Sequence, residues 1–239
     1  MSTEDTVGTG GPARPDHRPD RRPGERAAPV RTGSPVPGGA VAAVAGALVL
    51  TVCNVLSGLY PQSGSTRDAI AWFAGNAGLV EAVAATGLLA VFLLVPGVWA
   101  VVHRLRAPVL AAAGGWLMGT GYLASVVLSV ETLTVLSLLA ADADPGLLAT
   151  ASDEHAPATA VALYVVFGLG ALVGTLLLGV AVLRSGGPVW AGWALVASPV
   201  VRMAGLFLGV PLVGPPLASL LIAAAFAGVL YGPTAAHRG

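Results

Sequence analysis

The chain has 239 residues, of which 55% are hydrophobic and only 10% charged, with a formal net charge of zero. Soluble domains carry roughly 25% charged residues, so water is not the main solvent of this polypeptide. A balanced charge excludes the basic field of a nucleic-acid binder, and a single cysteine, Cys53, excludes an intrachain disulfide.

Residues 1–37 hold seven Pro, six Arg and five acids and almost no large apolar side chain. Such a segment buries too little surface to offset its ordering entropy, which predicts a disordered Arg/Pro-rich tail. Six apolar runs follow, at about 38–60, 78–102, 108–133 (apolar to about Ala140), 157–183, 188–210 and 216–231. Each approaches or exceeds the roughly 20 residues needed to span a bilayer. None alternates strictly, so barrel strands do not fit. The predicted fold is all-α: a six-helix transmembrane bundle, with a short tail at 233–239.

Between the first two runs, Ser65 and Asp68 have the spacing of a capping box, which predicts a short surface helix through Trp72. The segment 141–156 reads as an acidic loop, with Asp142, Asp144, Asp153 and Glu154.

Arginine placement predicts the orientation. With the N-terminus inside, inner segments carry the six tail arginines, Arg104, Arg106, Arg184 and Arg238, whereas outer loops carry only Arg67. Both termini are then cytoplasmic. Tyr60 and Trp72 fall at the outer boundary, and Trp99, Trp190, Trp193 and Tyr231 at the inner one. All twelve cations are Arg, a bias that suggests GC-rich coding and a bacterial plasma membrane.

Three ionisable residues lie in or at the edge of spans: Glu81, Glu131 and Arg202. An intramembrane charge is costly and usually has a partner in the bundle interior. Arg202 lies about 21 Å above the inner edge, and Glu131 and Glu81 near the outer boundary. A Glu131–Arg202 pair is therefore expected, with Glu81 as neighbour or alternative partner. It would serve as a clamp fixing helix order or as an outward-facing polar pocket. The carboxylates would otherwise simply be wetted at the interface. Pro96 and Pro199 predict helix kinks. Gly115, Gly119, Gly170, Gly174, Gly205 and Gly209 form small-xxx-small faces for helix packing. An echo at 80–82 residues links Gly97-Val98 through Pro108-Val109 with Gly179-Val180 through Pro188-Val189.

Tyr60-Pro61, Asp68 with Ala71-Trp72, Arg104-Leu105-Arg106, Glu131 and Gly186-Gly187-Pro188 resemble a family of small multi-pass actinobacterial membrane proteins. The family's domain has no assigned function. The resemblance covers about residues 38–232 and implies no substrate or catalytic residue. No nucleophile–base pairing, cofactor motif or metal-ligand spacing is visible, so no catalytic, cofactor-binding or metal residue is predicted. The expected partner is the lipid bilayer, with no nucleic acid, and protein partner and homo-oligomer are left open. An accessory or structural role is favoured. The alternatives are a small transporter or ligand-responsive sensor using Glu131, Arg202 and Glu81, and then a membrane-embedded enzyme.

Overall fold

The computed structural model describes residues 37–62, 64–154 and 158–232. The readings of the tail before Pro37, of His155 and of residues from 233 onward lie outside the described residues. Eight helices follow in order: α1 (Pro37–Ser57), α2 (Thr66–Gly75), α3 (Ala77–Val102), α4 (Pro108–Ala140), α5 (Pro145–Glu154), α6 (Ala158–Arg184), α7 (Val189–Phe207) and α8 (Gly214–Tyr231). Six of them, all but α2 and α5, are long and apolar enough to cross a membrane. The chain is an all-α, multi-pass membrane protein.

Several boundaries differ from expectation for local reasons. α1 stops at Ser57 rather than Tyr60, because Pro61 disfavours helical geometry at the residue before it. α7 ends at Phe207 rather than Val210. Gly209 there adopts φ +67°, and the Val210 N–H donates to Gly205 O at 2.8 Å, a closure that glycine makes at little cost. α4 runs on to Ala140, so its 33 residues extend about 50 Å, well beyond a roughly 30 Å hydrocarbon core. The expected acidic loop contains a further helix, α5. Pro145 occupies its first turn, and Asp144 Oδ1 accepts the Gly146 N–H at 2.8 Å.

α2 and α5 lie together at the end of the bundle opposite Pro37 and Tyr231, joined by Thr66 Oγ1 donating to Asp153 Oδ1 at 2.7 Å. The α2 capping box is complete. Asp68 N–H donates to Ser65 Oγ at 3.2 Å, and Ser65 N–H donates to Asp68 Oδ2 at 3.0 Å. The Ser65 N–H, together with the Ser65 hydroxyl, which donates to Asp68 Oδ2 at 2.8 Å, holds the Asp68 carboxyl below its ordinary value of 3.8. A depressed pKa means that the cap's contribution is complete above that ordinary value and fades as pH falls through the folded value. Amide exchange in α2 is therefore expected to quicken selectively below about pH 4, and Asp68→Asn should remove that pH dependence.

The six long helices form a closed up-and-down ring in the order α1, α3, α4, α6, α7, α8. Small residues decide the close crossings. A Cβ at Gly97 would collide with the Ala43 backbone of α1, and one at Gly174 would lie 2.7 Å from Met118 Cα of α4. Gly170 faces Gly121, Gly205 faces Gly214, and Gly115 meets the Val102 side chain. Lipid is as apolar as a core, so close van der Waals approach carries helix association. Gly119 and Gly209 differ from the packing expectation: a Cβ at either would meet nothing within 4 Å. The echo does not reappear in packing either, since Gly97 faces α1 whereas Gly179 faces Gly192 and Val196 of α7.

Pro96 and Pro199 both lie inside unbroken helices. Pro199 deprives the Leu195 carbonyl of its helical donor, and the Ser198 hydroxyl donates to that carbonyl at 3.0 Å. Such local side-chain substitution lets lipid-embedded helices carry proline.

The densest packing lies towards the end bearing Pro37 and Tyr231, the terminal end of the described residues. Leu94, Met118, Leu178, Leu195 and Phe226 are fully buried there, and Trp190, Trp193 and Tyr231 project outward around them. Ser185 ties two turns at this end. Its Oγ accepts the N–H groups of Arg106 and Ala107 at 2.9 and 3.2 Å and donates to Ala181 O at 2.7 Å. It thus serves the exposed amides at the start of α4 from another helix. Ser185→Ala is expected to lower stability by about 1 kcal/mol, the usual cost of a lost cap, measured by denaturant titration of the solubilised protein.

Candidate functional site

Above that packed end the ring is hollow. A cavity of about 240 Å³ is walled by α1, α3, α4, α6 and α7, including Cys53, Asn54, Tyr122, Ser129, Thr132 and Arg202. Arg202 and Tyr122 each lie 14 residues above the proline that opens their own helix, Pro188 for α7 and Pro108 for α4. Both therefore sit about 21 Å from the terminal end, on the cavity floor. Tyr122 is almost fully buried, and its ring meets Phe167 edge-on at a 6.4 Å centroid distance.

A small network orients Arg202. Asn54 Nδ2 donates to Ser219 Oγ at 2.6 Å, Arg202 Nη2 donates to the same oxygen at 3.4 Å, and the Ser219 hydroxyl donates to Pro215 O at 3.1 Å. Ser219 Oγ thereby fills its one donor and two acceptor places. Arg202 has five donors, and this contact, long for a hydrogen bond, engages one of them. Among the described residues no Asp or Glu stands in the wall of this cavity or of its neighbour beneath.

The expected partners lie elsewhere. Glu131 is exposed and lines a separate groove of about 630 Å³ between the α2/α5 cap and α4/α6, with Thr66, Ser152 and Tyr164. It is nine residues above Tyr122 on α4, a rise of about 13 Å, which is why the structure does not bring it beside Arg202. Glu81 is exposed on α3. Its neighbours Val83, Ala84 and Gly87 line the hollow, and Glu81 is turned away from it. Thr132 lies in the walls of both the groove and the central cavity, so the two spaces adjoin.

Tyr60 stands at the mouth. Its ring packs against Trp72 and Phe73 at 5.4 and 5.3 Å, and its buried hydroxyl has no hydrogen-bond partner among the described residues. Burial, which penalises the phenolate, pushes that hydroxyl up to about 12. Tyr60 therefore stays a neutral donor throughout the physiological range.

Sequence reasoning found Arg202 but missed Asn54, Tyr122 and Ser219. Each is an ordinary polar residue within an apolar run, with no charge to mark it. The chemistry offered by the hollow is cationic: a guanidinium with unused N–H groups, enclosed by hydrocarbon and by polar side chains whose donors are engaged. The Asn54 amide donates to Pro215 O and Ser219 Oγ, and the Ser125, Ser129 and Thr132 hydroxyls donate to carbonyls of their own helix. Among the described residues no group of three His, Cys, Asp or Glu side chains is placed to hold a metal ion. No family model matches the chain, no curated protein matches it, and no solved structure matches it.

Proposed function

We propose that this protein binds a small anionic ligand in the Arg202 hollow, as a ligand-responsive sensor or one-sided carrier. The observation that supports this reading is the placement of Arg202: a cation within the span region, beside a cavity, with no carboxylate among the described residues of the cavity walls. A buried charge without a counter-charge is costly, and an anionic ligand supplies the missing partner with charge-assisted hydrogen bonds. The accessory role favoured by composition calls for a dry interior. The interior is dry only towards the terminal end, where Leu94, Met118 and Phe226 close the ring.

The arginine distribution and the resemblance to actinobacterial membrane proteins support a bacterial plasma membrane with both termini cytoplasmic. The hollow then opens outward, past Tyr60 and the α2/α5 cap. The test is a thermal-shift screen of the purified full chain with phosphate, sulfate and small carboxylates. Wild type should shift with at least one anion, Arg202→Gln should not, and Glu131→Gln should retain the shift. An equal shift in Arg202→Gln, or none in wild type, would reject the reading.

A further inference from the structure

A second cavity, of about 160 Å³, adjoins the Arg202 hollow and shares Tyr122, Phe167 and Arg202 with it. Its remaining wall comes from α6, α7 and α8, including Leu172, Met203, Leu206 and Ile222. Its only other polar side chains are Thr175 and Ser198. Both hydroxyls donate to carbonyls of their own helices, Thr175 to Ala171 O at 2.6 Å and Ser198 to Leu195 O at 3.0 Å. Among the described residues the cavity therefore presents hydrocarbon everywhere except at Arg202 and Tyr122, the two polar side chains it shares with the hollow.

Its direction follows from the helices. From Phe167 to Thr175 is eight residues, so the slot runs about 12 Å along α6. On α7 it extends from Ser198, four residues below Arg202, to Leu206, four above. The part below Arg202, towards Thr175 and Ile222, is where a tail would lie. The polar cavity runs the other way, from Tyr122 up to Thr132 and Tyr60. Arg202 stands at the junction. α6 and α7 meet tightly at Gly179 and Gly192, near the packed end. Further up, at Gly168, a Cβ would meet nothing within 4 Å. The seam between these two helices is therefore open beside the slot, and Leu206 at its edge is half exposed.

We propose that the anion bound at Arg202 is the head of a single-chain amphiphile, whose aliphatic tail lies in the α6–α7–α8 slot. This rests on the anion reading above and adds the ligand class. Charge complementarity assigns the head, and the hydrocarbon wall assigns the tail. The size assigns a single chain, because a cavity of about 150 Å³ admits a benzene-sized group and no second one. Head and tail point as a lipid of the nearer leaflet would.

The experiment is competition for tritiated hexyl phosphate bound to the detergent-solubilised full chain, read by scintillation proximity. Ethyl, butyl and hexyl phosphate are compared at measured free concentrations. Each added methylene is expected to tighten competition by about fourfold, the ratio for burying one CH₂. Gly168 lines the slot and a Cβ there meets nothing within 4 Å, so Gly168→Val and Gly168→Leu narrow it without forcing the backbone apart. They should abolish this gain while leaving ethyl phosphate within about threefold of wild type, whereas Arg202→Gln should weaken every member of the series. Hexyl phosphate competing no better than ethyl phosphate, with Arg202→Gln still defective, would overturn the tail assignment and leave the anion reading standing. So would a full chain-length gain retained in Gly168→Leu. If wild type binds no tracer, the tail assignment fails, and the thermal-shift screen alone decides the anion reading.

Discussion

Arg202→Met is expected to make the bundle more stable while abolishing anion binding. The two effects have one cause. Arg202 sits about two-thirds of the way across the hydrocarbon, where a charge still carries part of the roughly 2.5–3.5 kcal/mol insertion cost at the bilayer centre. Its hydrogen bond in the network is a 3.4 Å contact to Ser219, and among the described residues no carboxylate stands in its cavity walls. Methionine keeps similar length and removes the charge. A gain of about 1–2 kcal/mol is expected in denaturant titration, the direction found when buried ionic groups give way to apolar ones. Ligand affinity should fall by about 30-fold or more, since losing one side of a buried charge pair costs about 2–5 kcal/mol. A structural clamp predicts the opposite sign: breaking a buried pair destabilises by about 3–5 kcal/mol. A less stable Arg202→Met would show that the guanidinium's own contacts hold the bundle together, and would remove the site.

The largest loss of stability is expected from Gly174→Leu. At that crossing α4 and α6 are in backbone contact, and an added Cβ would stand 2.7 Å from Met118 Cα and 2.8 Å from Met118 Cβ. Backbone cannot rotate away as a flexible side chain can, so the helices must separate. Overpacking alone costs about 1–3 kcal/mol, and the parted crossing also loses its van der Waals contacts. A total of about 3 kcal/mol or more is expected, seen as early unfolding in a denaturant titration and a broadened size-exclusion peak. Gly168→Leu, six residues earlier on the same helix, is the control. Its Cβ position is open and leucine favours helix more than glycine does, so stability should be unchanged or slightly raised. Equal damage at both positions would show that side-chain bulk, rather than the close crossing, limits this helix.

The two substitutions mark where sequence reading succeeded and where it stopped. Gly170, Gly174 and Gly205 could be singled out by their spacing, but spacing did not say which helix each one meets. Gly119 belongs to the same kind of motif and meets none. α2 was legible because Ser65 and Asp68 form a local, self-contained cap. α5 carried a comparable signal, Asp144 followed by Pro145, but the surrounding acids and the short length made the segment read as loop. Arg202 was visible as a charge among apolar residues. Its partner was assigned by charge and approximate depth alone, and on that basis Glu131 and Glu81 were the only carboxylates within reach. The helices turn Glu131 into the α2/α5 groove and Glu81 outward. Ser219 and Asn54, far apart in the chain, take the place beside Arg202.

What the amino-acid sequence determined by itself is the solvent and the number of crossings. Hydropathy is a sum over consecutive residues, and twenty of them suffice to decide that a segment leaves water. Which face of each span looks inward was decided only by the tertiary structure. Lipid and protein core are almost equally apolar, so the inward stripe that a water-facing helix would display is nearly erased here. Contacts between residues as distant as Asn54 and Ser219, or Gly174 and Met118, choose the face instead, and with it the hollow that Arg202 occupies.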